Sequence, residues 1–191
     1  INLHNICFED DLRNLLLEYV SSNTIILDCG KSLRNYFEKV KNIAKEIVTL
    51  DLNRFDSYPD LQIDICDANQ TTSIQQRFDV IVAFNLLEHC YHPFAAAQNL
   101  RNLLNKDGGV IVGSAPFLFP HHGPKDLSYQ DYFRFTRDSY VVLFPDAKSI
   151  DLFPIRGRLA TSLNVFSLRY RFFFETKFRF LANQVNKLII N

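Results

Sequence analysis

The chain has 191 residues, with 21 basic and 21 acidic side chains. That length allows one α/β domain with a single core, and the balanced charge leaves no global field to attract nucleic acid or an anionic membrane. Its four cysteines contain no C-x-x-C pair, so they read as reduced core residues of a cytoplasmic protein rather than as disulfides or metal ligands. No leader pattern opens the chain, and no apolar run reaches transmembrane length.

Residues 8–20 read as an amphipathic helix: Leu12, Leu15, Leu16 and Tyr19 share a face, and Glu9, Asp10 and Asp11 fill the first turn, where the helix dipole favours them. An apolar strand follows, from Thr24 to Asp28, and turns at Cys29-Gly30. Glycine there lets the backbone approach a ligand with no Cβ in the way. Ser32 to Val40 reads as a helix, and residues 46–51 as a second strand ending in Asp51. An acid at that strand tip, about 20 residues after the glycine turn, suits a ribose, since one carboxylate accepts from both hydroxyls. Residues 62–68 read as a third strand and its corner at Asp67-Ala68, which is either a ligand contact or an Asx turn capping the next loop.

Phe78 to Phe84 is nearly continuous apolar sequence, as expected of a strand buried on both faces of a parallel sheet. Asn85, Glu88 and His89 follow at its carboxyl end, where open α/β sheets bind ligands. After His92-Pro93, residues Phe94, Ala97, Leu100, Leu103 and Leu104 carry helical spacing; Asp107-Gly108-Gly109 reads as the cap, and Val110-Ile111-Val112 as a fifth strand. The loop after Pro116 holds His121 and His122, which point opposite ways in an extended segment, so one of them at most faces a site. Either is a candidate general base near neutral pH, or a structural loop residue. Next comes Asp131-Tyr132-Phe133-Arg134-Phe135-Thr136, with Thr136 placed as a helix N-cap, and residues 148–153 read as a sixth strand.

The stretch from 78 to 116 resembles the centre of a class I S-adenosylmethionine (SAM)-dependent methyltransferase: a strand opening on Phe-Asp-Val-Ile, a Leu-Glu-His corner, a proline that opens a helix, a Gly-Gly turn and a strand ending in proline. Downstream, His121-His122-Gly123-Pro124 and Asp131 to Thr136 resemble a subgroup with an H-x-x-P…DYxRFT segment. The resemblance covers roughly residues 24–150. It implies a class I methyltransferase fold, Rossmann-like, with a mostly parallel sheet and helices on both faces. It implies SAM as cofactor, with Asp28 and Gly30 at the opening loop, Asp51 on the ribose, Asp67 and Ala68 at the adenine and Asn85 at the methionine end. Of the glycine-rich pattern D-x-G-x-G-x-G, Asp28 and Gly30 match, and Ser32 stands where a second glycine is usual.

For the acceptor side, the resemblance places Tyr132 and Arg134 over the active site. Arg134 either grips an acidic substrate group or pairs with Asp131 to pin the lid. Three readings of Glu88 and His89 compete: a substrate or proton-transfer role, a metal site like that of some quinone-biosynthesis O-methyltransferases, and a structural corner in which Glu88 caps backbone amides. A metal site needs a third protein ligand, and Asn85 stands where that family carries an acid, so no metal is expected.

Residues 1–155 form the expected domain. Residues 156–191 mix aromatics with Arg and Lys, and read as an extension that packs on the domain or forms a homodimer face, with contact to a membrane surface as the lesser alternative. The expected function is methyl transfer to an oxygen or nitrogen of a small or carrier-linked acceptor. A catalytically inactive, methyltransferase-like scaffold is the rival, and a nicotinamide-dependent oxidoreductase is disfavoured by the missing G-x-G-x-x-G.

Overall fold

The computed structural model describes residues 1–4, 9–123, 125–155 and 162. Cys7, Pro124 and nearly all of the expected extension at 156–191 lie outside the described residues. The described elements in chain order are β1 (Asn2–Leu3), α1 (Glu9–Glu18), β2 (Ile25–Cys29), α2 (Phe37–Lys41), β3 (Glu46–Asp51), β4 (Leu61–Gln62), α3 (Ala68–Thr72), β5 (Val80–Phe84), α4 (Pro93–Leu103), β6 (Val110–Ser114), α5 (Ser139–Leu143) and β7 (Asp151–Leu152). Short 3-10 turns at Arg34–Tyr36 and Leu87–His89 follow β2 and β5.

Five strands make one parallel sheet in the order β4-β3-β2-β5-β6. The chain winds outward in one direction from β2 and then crosses back to β5, so the switch point lies between those two strands. Their side chains alternate between two buried layers. Ile26, Val80 and Val82 meet Leu16 and Val20 on one face, while Leu27, Ile81 and Ala83 meet Ala96, Ala97, Leu100 and Leu103 on the other. This two-sided burial is why β2 and β5 are apolar almost throughout, and the expected doubly wound architecture is the one observed.

Local details differ from the expectations for identifiable reasons. The third strand stops at Gln62, because Asp64 folds back: its Oδ1 accepts from the Cys66 N–H at 2.8 Å and its carbonyl from the Asp67 N–H at 3.0 Å. Helix α4 opens on Pro93, whose missing N–H costs nothing at that position. It ends at Leu103, before Asp107-Gly108-Gly109, which instead turns the chain into β6, with Gly108 at φ +130°. Phe94, spaced for the buried face, is 61 % exposed. Helix α5 begins at Ser139 rather than after Thr136, whose N–H donates to the Ser139 hydroxyl at 3.2 Å. The sixth expected strand is two residues, β7, and it pairs in parallel with β1, apart from the main sheet.

Candidate active site

The carboxyl ends of β2, β3 and β5, with the chain after β4, enclose a pocket lined by Gly30, Asp51, Asp64, Ile65, Asn85 and Leu86, and closed on its outer side by His89, Ser128 and Tyr129. A wider cleft shares Gly30, Asn85, His89 and Tyr129 with it and continues past Glu88, Phe117, Phe119 and His122. The switch point thus opens into two connected spaces.

The glycine-poor loop after β2 keeps its turn by unusual means. Gly30 sits at φ +65°, and a Cβ there would lie 3.3 Å from Leu86. Lys31 and Arg34 also adopt positive φ, 54° and 44°. Ser32, buried, uses its hydroxyl as a stitch: it donates to the Cys29 carbonyl at 2.5 Å and accepts from the Phe84 N–H at 2.9 Å, tying the ends of β2 and β5 together. A glycine at that position would lose both bonds. Asp28 lies beneath this loop, outside the lining of either space, and its Oδ1 accepts from the Leu33 N–H at 3.1 Å. Burial pushes its pKa up to about 6. Asp28, expected at the cofactor, organises the loop and lines neither space.

Asp51 does line the pocket. Its carboxylate accepts from the Asn53 N–H at 2.9 Å and the Tyr58 hydroxyl at 3.3 Å, one bond on each oxygen, so both oxygens keep acceptor capacity for ligand hydroxyls. Asp67 and Ala68 do not reach the pocket. Asp67 is the N-cap of α3, its Oδ1 accepting from the Asn69 N–H at 2.8 Å. Asp64 and Ile65 take the lining position instead. The Ile65 carbonyl is pinned by the buried Asn99 amide at 2.8 Å, and the Asp64 Oδ2 accepts from the Tyr91 hydroxyl at 2.9 Å. Sequence reasoning missed this pair by running the strand through it; the available signal was that Asp64, too, is an acid beside a strand tip. Asn85 lines both spaces at φ +50°, its Oδ1 accepting from the Ser114 hydroxyl at 3.1 Å.

The acceptor side is held by one ion pair. Arg134 donates to both Asp131 oxygens at 2.5 and 2.7 Å, and to the carbonyls of Phe119, Pro120 and Phe133. A guanidinium has five N–H donors, and all five are engaged, so Arg134 has none left for a substrate. Its expected substrate role is corrected: it pins the lid. The guanidinium holds the Asp131 carboxyl well below the usual carboxylate range. The Asp131 Oδ2 in turn accepts from the His122 N–H at 2.9 Å and lies 3.1 Å from His122 Nδ1. His121, exposed, and Tyr132, 47 % exposed, lie outside the lining of both spaces, although the Tyr132 N–H donates to the Glu88 carbonyl at 2.8 Å.

Glu88 is fully buried, and neither carboxylate oxygen has a hydrogen-bond partner. It does not cap backbone amides. Burial pushes its pKa up to about 7, and the Asp131 charge adds to the shift. His89 donates from Nδ1 to the Gln130 carbonyl at 2.8 Å, and burial lowers its pKa. One ligand atom from each of Glu88, His89 and His122 lies within 4.8 Å of the others. The expectation that no third ligand joins Glu88 and His89 is thus corrected by a residue 33 positions further on, in the lid.

Comparison with known proteins bears on the fold and its class. Residues 40–111 match the model of a methyltransferase domain family. Among solved structures, BH2331 of Bacillus halodurans, provisionally assigned as a methyltransferase, is similar over 72 % of this chain and 68 % of its own, at 14 % identity and TM-score 0.51. The N-methyltransferase NodS of Bradyrhizobium japonicum is similar over 56 % of this chain and 66 % of its own, at 22 % identity and TM-score 0.43. No curated protein matches. The fold is that of the class I methyltransferases, and residues 40–111 match a methyltransferase domain, a class whose cofactor is SAM. The residues present fit such a ligand: a left-handed glycine at the first strand tip, an acid with spare lone pairs at the second, and a pinned backbone beside the third. No helix among the described residues is long and apolar enough to cross a membrane.

Proposed function

We propose that this domain moves a methyl group from SAM to an oxygen or nitrogen nucleophile of a small or carrier-linked acceptor that enters through the wider cleft. When bound, SAM supplies an electrophilic sulfonium methyl, and no covalent enzyme intermediate is required. Gly30 and Asn85 lie where the two spaces meet, and Asp51 and Ile65 hold the nucleoside end in place. The convergence of Glu88, His89 and His122 at the same junction carries the reading, because a methyl acceptor must shed a proton there.

A carbonyl accepts hydrogen bonds and never donates them, so Gln130 fixes the proton of neutral His89 on Nδ1 and leaves Nε2 as its basic nitrogen. Asp131 and the Pro120 carbonyl do the same for His122. Tyr129 lies beside His89 at a ring separation of 5.0 Å, and Phe119 lies 5.1 Å from the His122 ring. Calorimetric titration with SAM and with S-adenosylhomocysteine tests the cofactor half. Micromolar binding of both is the expected result, followed by turnover against a panel of hydroxyl and amine acceptors.

One observation favours a second reading, a domain that binds without catalysing. Lys31 and Arg34 hold left-handed backbone in the loop where glycines are usual, a departure from the glycine-rich pattern of a SAM-binding loop. A folded sample that binds neither SAM nor its demethylated product at millimolar concentration supports that scaffold.

A further inference from the structure

We propose that Glu88, His89 and His122 form a binding site for one divalent transition-metal ion of the Zn2+ class. The inference rests on the reading of this corner as the place where the acceptor loses its proton, with the ion taking the Nε2 lone pairs and acidifying the acceptor in place of a free imidazole base.

Glu88 poses the problem that a cation solves. Its carboxylate is fully removed from water, and neither oxygen has a donor. Burying unpaired acceptors of this kind is costly. Arg134, the guanidinium whose charge acts on Glu88, has every N–H committed to Asp131 and to backbone carbonyls.

The two histidines are set up as ligands from behind. His89 Nδ1 faces the Gln130 carbonyl at 2.8 Å, and His122 Nδ1 lies 3.1 Å from the Asp131 carboxylate and 3.2 Å from the Pro120 carbonyl. Those oxygens only accept, so each ring carries its proton on Nδ1 and offers the Nε2 lone pair. A metal-bound imidazole is oriented in the same way, by a carbonyl or carboxylate on its far nitrogen. Asp131 is therefore a positioning residue, kept ionised and oriented by the Arg134 fork.

Two imidazoles and one carboxylate are a donor set suited to Zn2+ and its neighbours, with a fourth position left open. Bonds of about 2.0–2.2 Å place tetrahedral ligand atoms about 3.3 Å apart. The ligand atoms, now within 4.8 Å of one another, would draw together by about 1.5 Å at most on binding the ion. Glu88, His89 and His122 all line the wider cleft, so an acceptor there could reach the ion, and a hydroxyl bound to it would be acidified as bound water is.

The test uses the full chain, stripped with chelator and titrated with Zn2+ by calorimetry and with Co2+ by visible absorption. The expected result is one ion per chain, with ligand-field bands in the Co2+ spectrum. Glu88→Gln and His122→Ala should each weaken binding more than tenfold, and Asp131→Asn by about tenfold or more, with S-adenosylhomocysteine affinity unchanged. Absence of stoichiometric binding overturns the site. So does binding that survives both Glu88→Gln and His122→Ala, which marks an adventitious surface ion. If Glu88→Gln does not fold by circular dichroism, His122→Ala and His89→Ala decide. Failure of the parent chain to bind S-adenosylhomocysteine counts against the methyltransferase reading alone, and the Zn2+ titration still decides the site.

Discussion

The cofactor half of the cleft is built from strand ends that the sheet holds in register, whereas the acceptor half is brought together from a lid far along the chain. On the cofactor side, Gly30 and Asp51 each sit at or just past the end of a strand, and the β2–β3 ladder aligns those strands residue by residue from Ile25–Glu46 to Cys29–Leu50. On the acceptor side, Glu88 and His89 meet the lid through contacts such as His89 to Gln130, across 41 residues of sequence, and the lid keeps its shape through Asp131 and Arg134. The first half needs only that the sheet fold. The second needs a half-buried ion pair and a network of carbonyls as well. The two halves should therefore fail separately.

The largest separable effect is expected at His122. Replacing it by Ala should lower kcat by about 100-fold or more, the usual contribution of a positioned acid–base group, while SAM affinity measured by calorimetry stays within twofold of the parent. A parallel loss of SAM binding would show that the lid also builds the cofactor half, and would break the comparison.

Asp28 allows the cofactor half to be probed by pH without any ligand. Its folded pKa of about 6 stands above the usual 3.8 because burial disfavours the charge. The sign follows from linkage: between those values the folded state binds more protons than the unfolded one, so stability falls as pH rises towards 6 and is lowest above it. The shift from 3.8 to about 6 bounds the effect at about 3 kcal/mol. Asp28→Asn keeps an oxygen for the Leu33 N–H and removes the charge, at the cost of an amide group with no partner. Urea unfolding of the cofactor-free protein should show the variant more stable by about 2 kcal/mol at pH 8, with the advantage fading by pH 4. An equal advantage at both pH values would mean that Asp28 does not carry the charge penalty.

Much of the cofactor half was legible in the sequence, because strands announce themselves by apolar runs and their tips follow by counting. The acceptor half was not, because nothing local distinguishes a His that meets Glu88 from one that faces solvent. His121 and His122 are adjacent and chemically identical, and the choice between them is made by Asp131, nine residues on. Arg134 was ambiguous for the same reason: whether its fork grips a substrate or Asp131 depends on where Phe119 and Pro120 pass. Asp67 is a case of another kind. Both Asp64 and Asp67 are acids near the end of β4, and the Asx turn at Asp64 ends the strand early, which moves the lining position back by three residues.

Asp51 and Asp67 give the next comparison. Asp51→Ala should weaken SAM binding more than tenfold. Asp67→Ala should leave it unchanged and cost about 1 kcal/mol of stability through loss of the α3 N-cap. Calorimetry and urea unfolding on the same two variants separate the outcomes. Weakened SAM binding in the Asp67 variant would return the adenine contact to that residue.

The smallest effect tests whether the unusual β2 loop is strained for a purpose. Arg34 holds φ +44°, which a side chain adopts at a cost of roughly 1–2 kcal/mol and glycine adopts freely. Glycine also loses more backbone entropy on folding, so part of the gain is returned. Arg34→Gly should therefore raise stability by about 0.5–1 kcal/mol, or about 2–3 °C in Tm for a domain of this size. Arg34 lines the wider cleft, not the pocket that holds Asp51, so SAM affinity should not change. A more stable variant with unchanged affinity would mean that the loop merely tolerates its missing glycine. A more stable variant that binds SAM less well would mean that the strained arginine belongs to the cofactor half, and the boundary between the two halves would move to include it.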